Sequence, residues 1–282
     1  MITEAAILIA EKKYRSILEE FFLDTWSETN LTSHGIDHHR RVWNHARNLL
    51  PEIPNDRPAT EPSLPDKLII ASYLHDLGMA ADPGFRHGKH GVYLCRQFLV
   101  KNRLNVNDYT DVLHAIENHD DKEYINTAPE YSLLSLLSVA DDLDAFGYIG
   151  IYRYSEIYIT RGIPGHLLGY RIRENAEKRF MNFLSLFGFN AELADRHRNR
   201  FLILDTFFDN YNQESGSSAL NNHESSGYSG VIKIISGMIK DNVSLNKILS
   251  GPGRFSKDPV ISGFIKGLAS ELKESPFPMK GV

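Results

Sequence analysis

Residues 69–78 read Ile69-Ile70-Ala71-Ser72-Tyr73-Leu74-His75-Asp76-Leu77-Gly78. This stretch predicts an apolar helix that ends with an imidazole and a carboxylate on adjacent residues, shortly before a glycine. A His-Asp pair in such a place can offer one divalent metal two different kinds of ligand. Since two ligands do not complete a metal site, other parts of the chain must supply the rest.

The composition is that of an ordinary globular protein. The 282 residues are enough for one large domain, or for one domain with an appended subdomain. The net charge of -5 gives no reason to expect nonspecific nucleic-acid binding. No apolar run approaches the roughly 20 residues of a membrane span, and the N-terminal residues do not resemble a signal peptide. A single cysteine, Cys95, excludes an internal disulfide and favours a reducing, cytoplasmic compartment.

The spacing of apolar residues predicts a mostly helical, all-α chain. Helices are predicted over residues 3–26, 36–50, 67–77, 87–101, 107–119, 132–144, 174–187 and 192–211. Asp66 is a plausible N-cap for the third helix, and Gly78 a plausible residue to end it. Residues 149–160, rich in Tyr, Ile and Arg, could hold a short hairpin instead.

The composition changes near residue 213. Residues 213–230 are rich in Ser, Asn and Gly, which predicts a flexible linker or loop. Two further helices are predicted over 231–249 and 259–272. The sequence therefore predicts a helical core over residues 1–212 and a C-terminal helical extension over residues 231–282.

Residue types that bind metals gather in short segments at predicted helix ends. The segments are residues 33–43, 75–76, 86–91, 114–120 and 139–145. Helices packed as a bundle can direct such residues to one interior point. Mixed nitrogen and oxygen ligands suit Mn, Fe, Co, Ni or Zn, whereas oxygen ligands alone suit Mg or Ca better.

Each of these residues also has a purely structural alternative. A single histidine is more often a surface or hydrogen-bonded residue. We assign that role to His45, His166, His197 and His223. Asp141, Asp142 and Asp144 could simply cap and solvate a helix end. However, acids at a helix C-terminus oppose the helix dipole, and a bound metal would compensate them.

The ordered pattern His…His-Asp…Asp resembles the HD-domain superfamily of metal-dependent phosphohydrolases, over roughly residues 30–155. The segment His38-His39-Arg40-Arg41-Val42 is similar to the H-x-x-R-V of that family. The resemblance implies an HD-domain helical bundle with additional C-terminal helices, and four metal ligands: His38, His75, Asp76 and Asp141.

A narrower resemblance concerns a bacterial subgroup that includes nucleotide phosphohydrolases and pyrophosphohydrolases. Residues 143–153 resemble its L-D-A-x-G-x-x-G-I-x-R ending, and residues 34–38 resemble its H-D-x-x-H. Two positions depart from the subgroup: Gly35 replaces an Asp, and Asp142 replaces an Arg. The second change removes a positive charge near the expected metal, which would alter the preference for substrate.

The resemblance implies a metal-dependent phosphohydrolase that cleaves a phosphate ester or anhydride, most naturally of a nucleotide. The metal would polarise a phosphoryl oxygen and activate a water, while nearby cations bind the phosphate. Catalytic roles are expected for Glu117, Asp120 and Asp144, which would orient water or a ligand. Substrate-binding roles are expected for Arg41, Lys89, His87, His119, Lys122 and Arg153.

Two other functions stay open at this point. By resemblance to dinuclear members of the family, His87 and His119 could bind a second metal, and without one they would contact phosphate. A dinuclear iron oxygenase would need both as ligands of that second metal. A binding or regulatory module would need a degenerate site, although the four core ligand types are present. The metal could be Mn, Fe, Co, Ni, Zn or Mg. The expected partner is a small phosphate substrate rather than a membrane or nucleic acid. The chain could also form a homodimer.

Overall fold

A computed structural model of the chain describes residues 2–29, 31–54, 61–82, 84, 86–121, 128–217, 226–241, 249 and 256–274. Among these residues all regular elements are helical and none is a strand, which confirms the predicted all-α fold. The helices are α1 (Glu4–Trp26), α2 (Ile36–Leu49), α3 (Leu64–Leu74), α4 (His87–Lys101), α5 (Thr110–Asn118), α6 (Leu133–Asp144), α7 (Gly147–Thr160), α8 (Gly165–Phe187), α9 (Ala191–Ser217), α10 (Gly227–Asp241) and α11 (Pro259–Glu274). Short 3-10 turns lie at Thr32–His34, Leu50–Glu52, Leu77–Ala80 and Val106–Tyr109.

The chain divides into two compact units. The first unit consists of Met1–Thr29, His34–Asp144 and Asn182–Asn190. The second consists of Asn30–Ser33, Ala145–Met181 and Ala191–Val282. Helix α8 therefore contributes its first part to the second unit and its last residues to the first. No helix among the described residues is long and apolar enough to cross a membrane.

Helix α3 is the central helix of the first unit. It contacts α1, α2, α5 and α6, and all of Leu68–Leu74 is buried. A helix that is apolar on every side is buried on every side. Each large apolar side chain in such a position contributes roughly 1.5–3 kcal/mol through burial. The residues that follow α3 are thereby placed in the interior of this unit.

Helix α3 begins three residues earlier than the sequence predicts. It runs over Leu64–Leu74, with Pro65 in its first turn, whereas the prediction began at Lys67 with Asp66 as the N-cap. The prediction was wrong because Pro65 was counted with the preceding proline-rich loop, although proline fits the first turn of a helix well. The helix also ends at Leu74, three residues before the predicted end, so His75 occupies the C-terminal cap position and Asp76 precedes the 3-10 turn Leu77–Ala80.

The second unit contains α7, α9, α10 and α11, and α7 contacts each of the other three. The hairpin predicted over residues 149–160 is wrong, because this segment belongs to α7. Nearly all of its side chains from Gly147 to Ile157 are buried. A helix buried on most sides shows no clear apolar period, so its β-branched and aromatic residues suggested strands instead.

The linker predicted over residues 213–230 is helical at both of its ends. Helix α9 continues to Ser217 and α10 begins at Gly227, whereas residues 218–225 lie outside the described residues. The helix predicted over 231–249 is observed as Gly227–Asp241, and the helix predicted over 259–272 as Pro259–Glu274. The division into a 1–212 core, a linker and a 231–282 extension stays a prediction.

Candidate metal centre

Three segments of the first unit bring two histidines and two aspartates into one buried cluster. His38 lies in the first turn of α2, the pair His75-Asp76 follows α3, and Asp141 lies near the end of α6. Each side chain offers one ligand atom, and these four atoms lie within 4.8 Å of one another. The structure thus brings together the four residues that the sequence predicts as metal ligands.

The distances within the cluster suit a single ion. The His38 Nε2 atom lies 3.2 Å from His75 Nε2, 3.5 Å from Asp76 Oδ2 and 3.7 Å from Asp141 Oδ1. The His75 Nε2 atom lies 3.4 Å from Asp76 Oδ2. Ligand atoms about 2.0–2.2 Å from one metal lie roughly 3–3.6 Å from one another. The observed spacing is therefore close to that of a coordination shell.

Three histidine rings of the site are oriented by backbone carbonyls of their own turns. The Nδ1 atom of His75 lies 3.0 Å from Ser72 O, that of His87 lies 2.6 Å from Gly84 O, and that of His119 lies 2.8 Å from Ile116 O. Because a carbonyl can only accept, each Nδ1 carries a proton and donates it. In the neutral ring Nε2 then carries the lone pair that a metal binds.

The donor set fits a cation. The Nδ1 atom of His38 lies 2.7 Å from the Asp144 carboxylate, which accepts a proton from it. If Nδ1 is the donor in both rings, the facing Nε2 atoms of His38 and His75 are both acceptors at 3.2 Å, so a proton or a metal ion must lie between them. Burial lowers the pKa of His75 below its ordinary value, although Asp76 raises it. A neutral His75 disfavours the proton. The residues present therefore fit a divalent metal.

Asp76 connects this cluster to a second one. Its Oδ2 atom faces His38 and His75, whereas its Oδ1 atom lies 2.9 Å from His119 Nε2 and 3.4 Å from His87 Nε2. Asp76, His87 and His119 also offer ligand atoms within 4.8 Å of one another. Burial raises the pKa of the Asp76 carboxyl, whereas a protonated His75 and hydrogen bonds from His119 and His38 lower it well below its ordinary value, so a positive charge beside Asp76 stabilises the carboxylate.

Glycines allow α4 to approach Asp76 closely enough to deliver His87. A Cβ atom on Gly78 would lie 2.0 Å from the carbonyl oxygen of His87, and one on Gly91 would lie 3.1 Å from that of His75. A Cβ atom on Gly88 would lie 2.6 Å from the carbonyl oxygen of Glu117 on α5. No other residue fits so near a neighbouring backbone. The His-Gly repeat at residues 87–91 is the sequence signal of this contact.

The other predicted site residues have different surroundings. Asp144 is fully buried and contacts both His38 and Arg41. Asp120 is partly buried, with its Oδ2 atom 3.8 Å from His87 Nε2. Glu117 and Lys89 are exposed to solvent. Lys122 lies outside the described residues. Arg153 is buried on α7, in the second unit.

His39 and Asp142 have surroundings that the sequence did not predict. His39 packs its ring 4.9 Å from that of His75 and 4.5 Å from Phe22, and burial lowers its pKa well below the ordinary value. Asp142, the position that departs from the bacterial subgroup, is fully buried and accepts a hydrogen bond of 2.8 Å from Asn182 Nδ2 on α8. Nothing in the sequence indicates that partner, which lies 40 residues away along the chain.

Comparison with known families identifies the class of domain that carries this cluster. Residues 15–145 match the HD domain family, and the match includes all four residues of the first cluster and the three of the second. Residues 15–145 are therefore an HD domain, and the resemblance seen in the sequence is confirmed.

One solved structure from Lactobacillus plantarum has a similar fold. The TM-score is 0.53 and the sequence identity 22%, and the alignment covers 77% of this chain and 100% of that chain. At this level of identity the likeness concerns the fold alone. No curated protein matches the chain significantly.

Proposed function

We propose that the chain is a metal-dependent phosphohydrolase that cleaves a phosphate ester or anhydride of a nucleotide. The observation that carries this proposal is the buried His-His-Asp-Asp cluster within an HD domain. A divalent ion there would withdraw charge from a phosphoryl oxygen and lower the pKa of a water. His38, His75, Asp76 and Asp141 would hold the ion.

The remaining roles follow from exposure and distance. Asp120 is partly exposed and close to His87, so it is our candidate for orienting or deprotonating water. Lys89 is exposed two residues after His87, where it can reach the phosphate of a docked substrate. Glu117 is a weaker candidate because its side chain is exposed. Lys122 and Arg153 stay candidates from the sequence alone.

The surroundings of the His87 ring support a second ion. Its Nε2 atom is buried and has no hydrogen-bond partner among the described residues, although it lies 3.4 Å from Asp76 Oδ1. A buried polar atom without a partner costs about 1–3 kcal/mol, and a metal ion would remove that cost. We propose that Asp76, His87 and His119 bind a second ion, with Asp76 shared between the two.

Two bound ions would also be compatible with the oxygenase alternative, because that function needs two irons. Metal analysis separates the two functions. Two irons per chain, with no hydrolysis of any phosphate substrate, would favour the oxygenase. Other divalent ions together with release of phosphate or pyrophosphate would favour the hydrolase. Nucleotide binding without turnover, and without any bound ion, would favour the regulatory module.

The decisive experiment is an activity screen of protein stripped of metal and reloaded with Mn, Co, Ni, Mg, Zn or Fe. Nucleotides, cyclic dinucleotides and small phosphoesters are the substrates. We expect metal-dependent turnover that is lost in His75→Ala and kept in His90→Ala, a histidine exposed on α4. Absence of turnover with every substrate and metal, in a folded and metal-loaded protein, would refute the proposal.

A further inference from the structure

Asp144 joins His38 and Arg41 in a buried chain of charged hydrogen bonds. Its Oδ2 atom lies 2.7 Å from His38 Nδ1. Arg41 donates from Nε to Oδ1 at 2.7 Å and from its terminal nitrogen Nη2 to Oδ2 at 3.0 Å. Asp144 is fully buried and Arg41 is 9% exposed. Two of the guanidinium nitrogens are thus engaged inside the first unit, in the paired geometry that holds a carboxylate most firmly.

His38 differs from the other histidines of the site in what holds its ring. The Nδ1 atoms of His75, His87 and His119 face backbone carbonyls of their own turns, whose positions are fixed once the helix forms. The Nδ1 atom of His38 faces a side chain instead. A carboxylate has rotamers of its own, so it orients a ring only if something else orients the carboxylate.

Helix α2 provides that support. Arg41 follows His38 by three residues and therefore lies on the same face of the helix, one turn further on. Asp144 is the last residue of α6, and α2 packs against α6. Helix α2 therefore carries both the expected metal ligand His38 and Arg41, which holds the Asp144 carboxylate that faces His38.

We infer that Arg41 and Asp144 are a positioning pair that keeps His38 protonated at Nδ1 and directs its Nε2 lone pair to the metal. This inference rests on the proposed metal site. It assigns to Arg41 a role through Asp144 and His38, instead of the direct contact with phosphate expected from the sequence. For Asp144 it keeps the ligand-orienting role expected from the sequence, and it identifies His38 as that ligand.

The tautomer can be measured without any metal or substrate. Long-range proton–nitrogen NMR spectra of histidine-labelled, metal-free protein report which ring nitrogen of His38 carries the proton, and His38→Gln assigns the signal. We expect the Nδ1–H form in the wild type and a mixture of forms in Asp144→Asn, whose amide can donate as well as accept. A wild-type His38 protonated at Nε2, or an unchanged signal in Asp144→Asn, would overturn the inference.

Metal titration separates positioning from phosphate binding. We expect Mn²⁺ to bind about 10- to 100-fold more weakly to Arg41→Gln and Asp144→Asn than to the wild type, with partial recovery in Arg41→Lys. Arg40→Gln is the matched control, because Arg40 is the next residue on α2 but pairs with Glu19 and Asp37. Its Mn²⁺ affinity should stay within twofold of the wild type.

The opposite result identifies Arg41 as a phosphate ligand. If Arg41→Gln binds Mn²⁺ like the wild type and loses only affinity for inorganic phosphate, the positioning role is refuted. If the wild type binds no divalent metal, the proposed function fails instead. The NMR result for metal-free His38 still decides whether Arg41 and Asp144 set the tautomer. Circular dichroism of each variant confirms that the helices are retained.

Discussion

Acidic side chains of both units face helix ends, but three acids of the second unit face N-termini, whereas two acids of the first unit lie at a C-terminus. In the second unit, Glu271, Glu214 and Asp258 accept hydrogen bonds from backbone N–H groups at the N-termini of α7, α10 and α11. In the first unit, Asp141 and Asp144 lie in the last turn of α6, which contains no basic residue. The carboxylates of the second unit thus lie at the positive end of a helix dipole, whereas Asp141 and Asp144 lie at the negative end of the α6 dipole.

This difference separates structural acids from functional ones. A carboxylate at a helix N-terminus is stabilised by the dipole and by the free N–H groups, typically by 0.3–1 kcal/mol. A carboxylate at a C-terminus is repelled and needs a cation nearby. Arg41 provides one for Asp144, and the proposed metal provides one for Asp141. Glu214 and Glu271 also lie in the last turns of their own helices, α9 and α11, but each faces the N-terminus of another helix. The group that a carboxylate faces, and not its position along its own helix, thus indicates whether it needs a cation.

Asp76→Asn should have the largest effect, because Asp76 faces both histidine pairs. The amide keeps the shape of the side chain but lacks its negative charge. We expect the affinity for Mn²⁺ to fall more than about 100-fold, and any turnover to disappear. This loss exceeds the one caused by removing a residue that only hydrogen-bonds to a metal ligand. Isothermal titration calorimetry measures the affinity. Unchanged Mn²⁺ binding in this variant would remove Asp76 from the site.

Gly78→Ala should disturb the first unit through its backbone. The added Cβ atom would lie 2.0 Å from the carbonyl oxygen of His87, so α4 must move away from the turn that follows Asp76. We expect a loss of about 1–3 kcal/mol in the free energy of unfolding, and fewer bound ions per chain because His87 is displaced. Urea denaturation and metal analysis test both parts. A variant as stable as the wild type would show that the two segments can separate freely.

Asp258→Ala should lower stability and leave metal binding unchanged. Its carboxylate accepts from the N–H groups of Ile261 and Val260 on α11 and from that of Gly227 on α10. Loss of such a cap costs about 0.5–2 kcal/mol at neutral pH. A weakened Mn²⁺ affinity in this variant would contradict the distinction between the two kinds of acid.

The effect of Asp258 should also depend on pH. Hydrogen bonds from Ile261 and Gly227 lower the pKa of this carboxyl below its ordinary value. Its stabilisation is therefore complete above the ordinary pKa and is lost as the pH falls through the lower, folded-state pKa. The difference in unfolding free energy between wild type and Asp258→Ala should shrink on acidification. A difference that grows at acid pH would refute this role.

Gly263→Ala should have the smallest effect, and in the opposite direction. Gly263 lies within α11, and an added Cβ atom would meet nothing within 4 Å. Alanine restricts the unfolded chain and favours the helix by roughly 0.5–1 kcal/mol relative to glycine. A small rise in melting temperature is expected, in contrast to the loss at Gly78. A fall would mean that this face of α11 is covered in solution.

The main cluster was predicted from a family resemblance, whose residues lie near the ends of predicted helices. His75 and Asp76 follow an apolar helix, and His38 and Asp141 stand near the ends of two others. Their order along the chain resembles that of the HD-domain superfamily, and this resemblance predicted that the four residues meet. The structure brings all four together, while their roles as ligands await metal titration.

Features that depend on tertiary packing could not be predicted in the same way. Nothing in the sequence pairs Arg41 with Asp144, 103 residues away, or Asp142 with Asn182. The sequence left a short hairpin open over residues 149–160, which lie in α7, because burial on most sides removes the apolar period. The start of α3 was missed because a proline suits both a loop and a first helical turn.

The carbonyl contacts of His75, His87 and His119 imply that the site is preorganised. Each ring is held by a residue three positions earlier in the chain, so folding of the local turn fixes its direction before any ion arrives. The rotational entropy of these side chains is then lost during folding and not during ion binding. An ion would enter a cluster that is already shaped, so its capture should be rapid and limited mainly by loss of its hydration water.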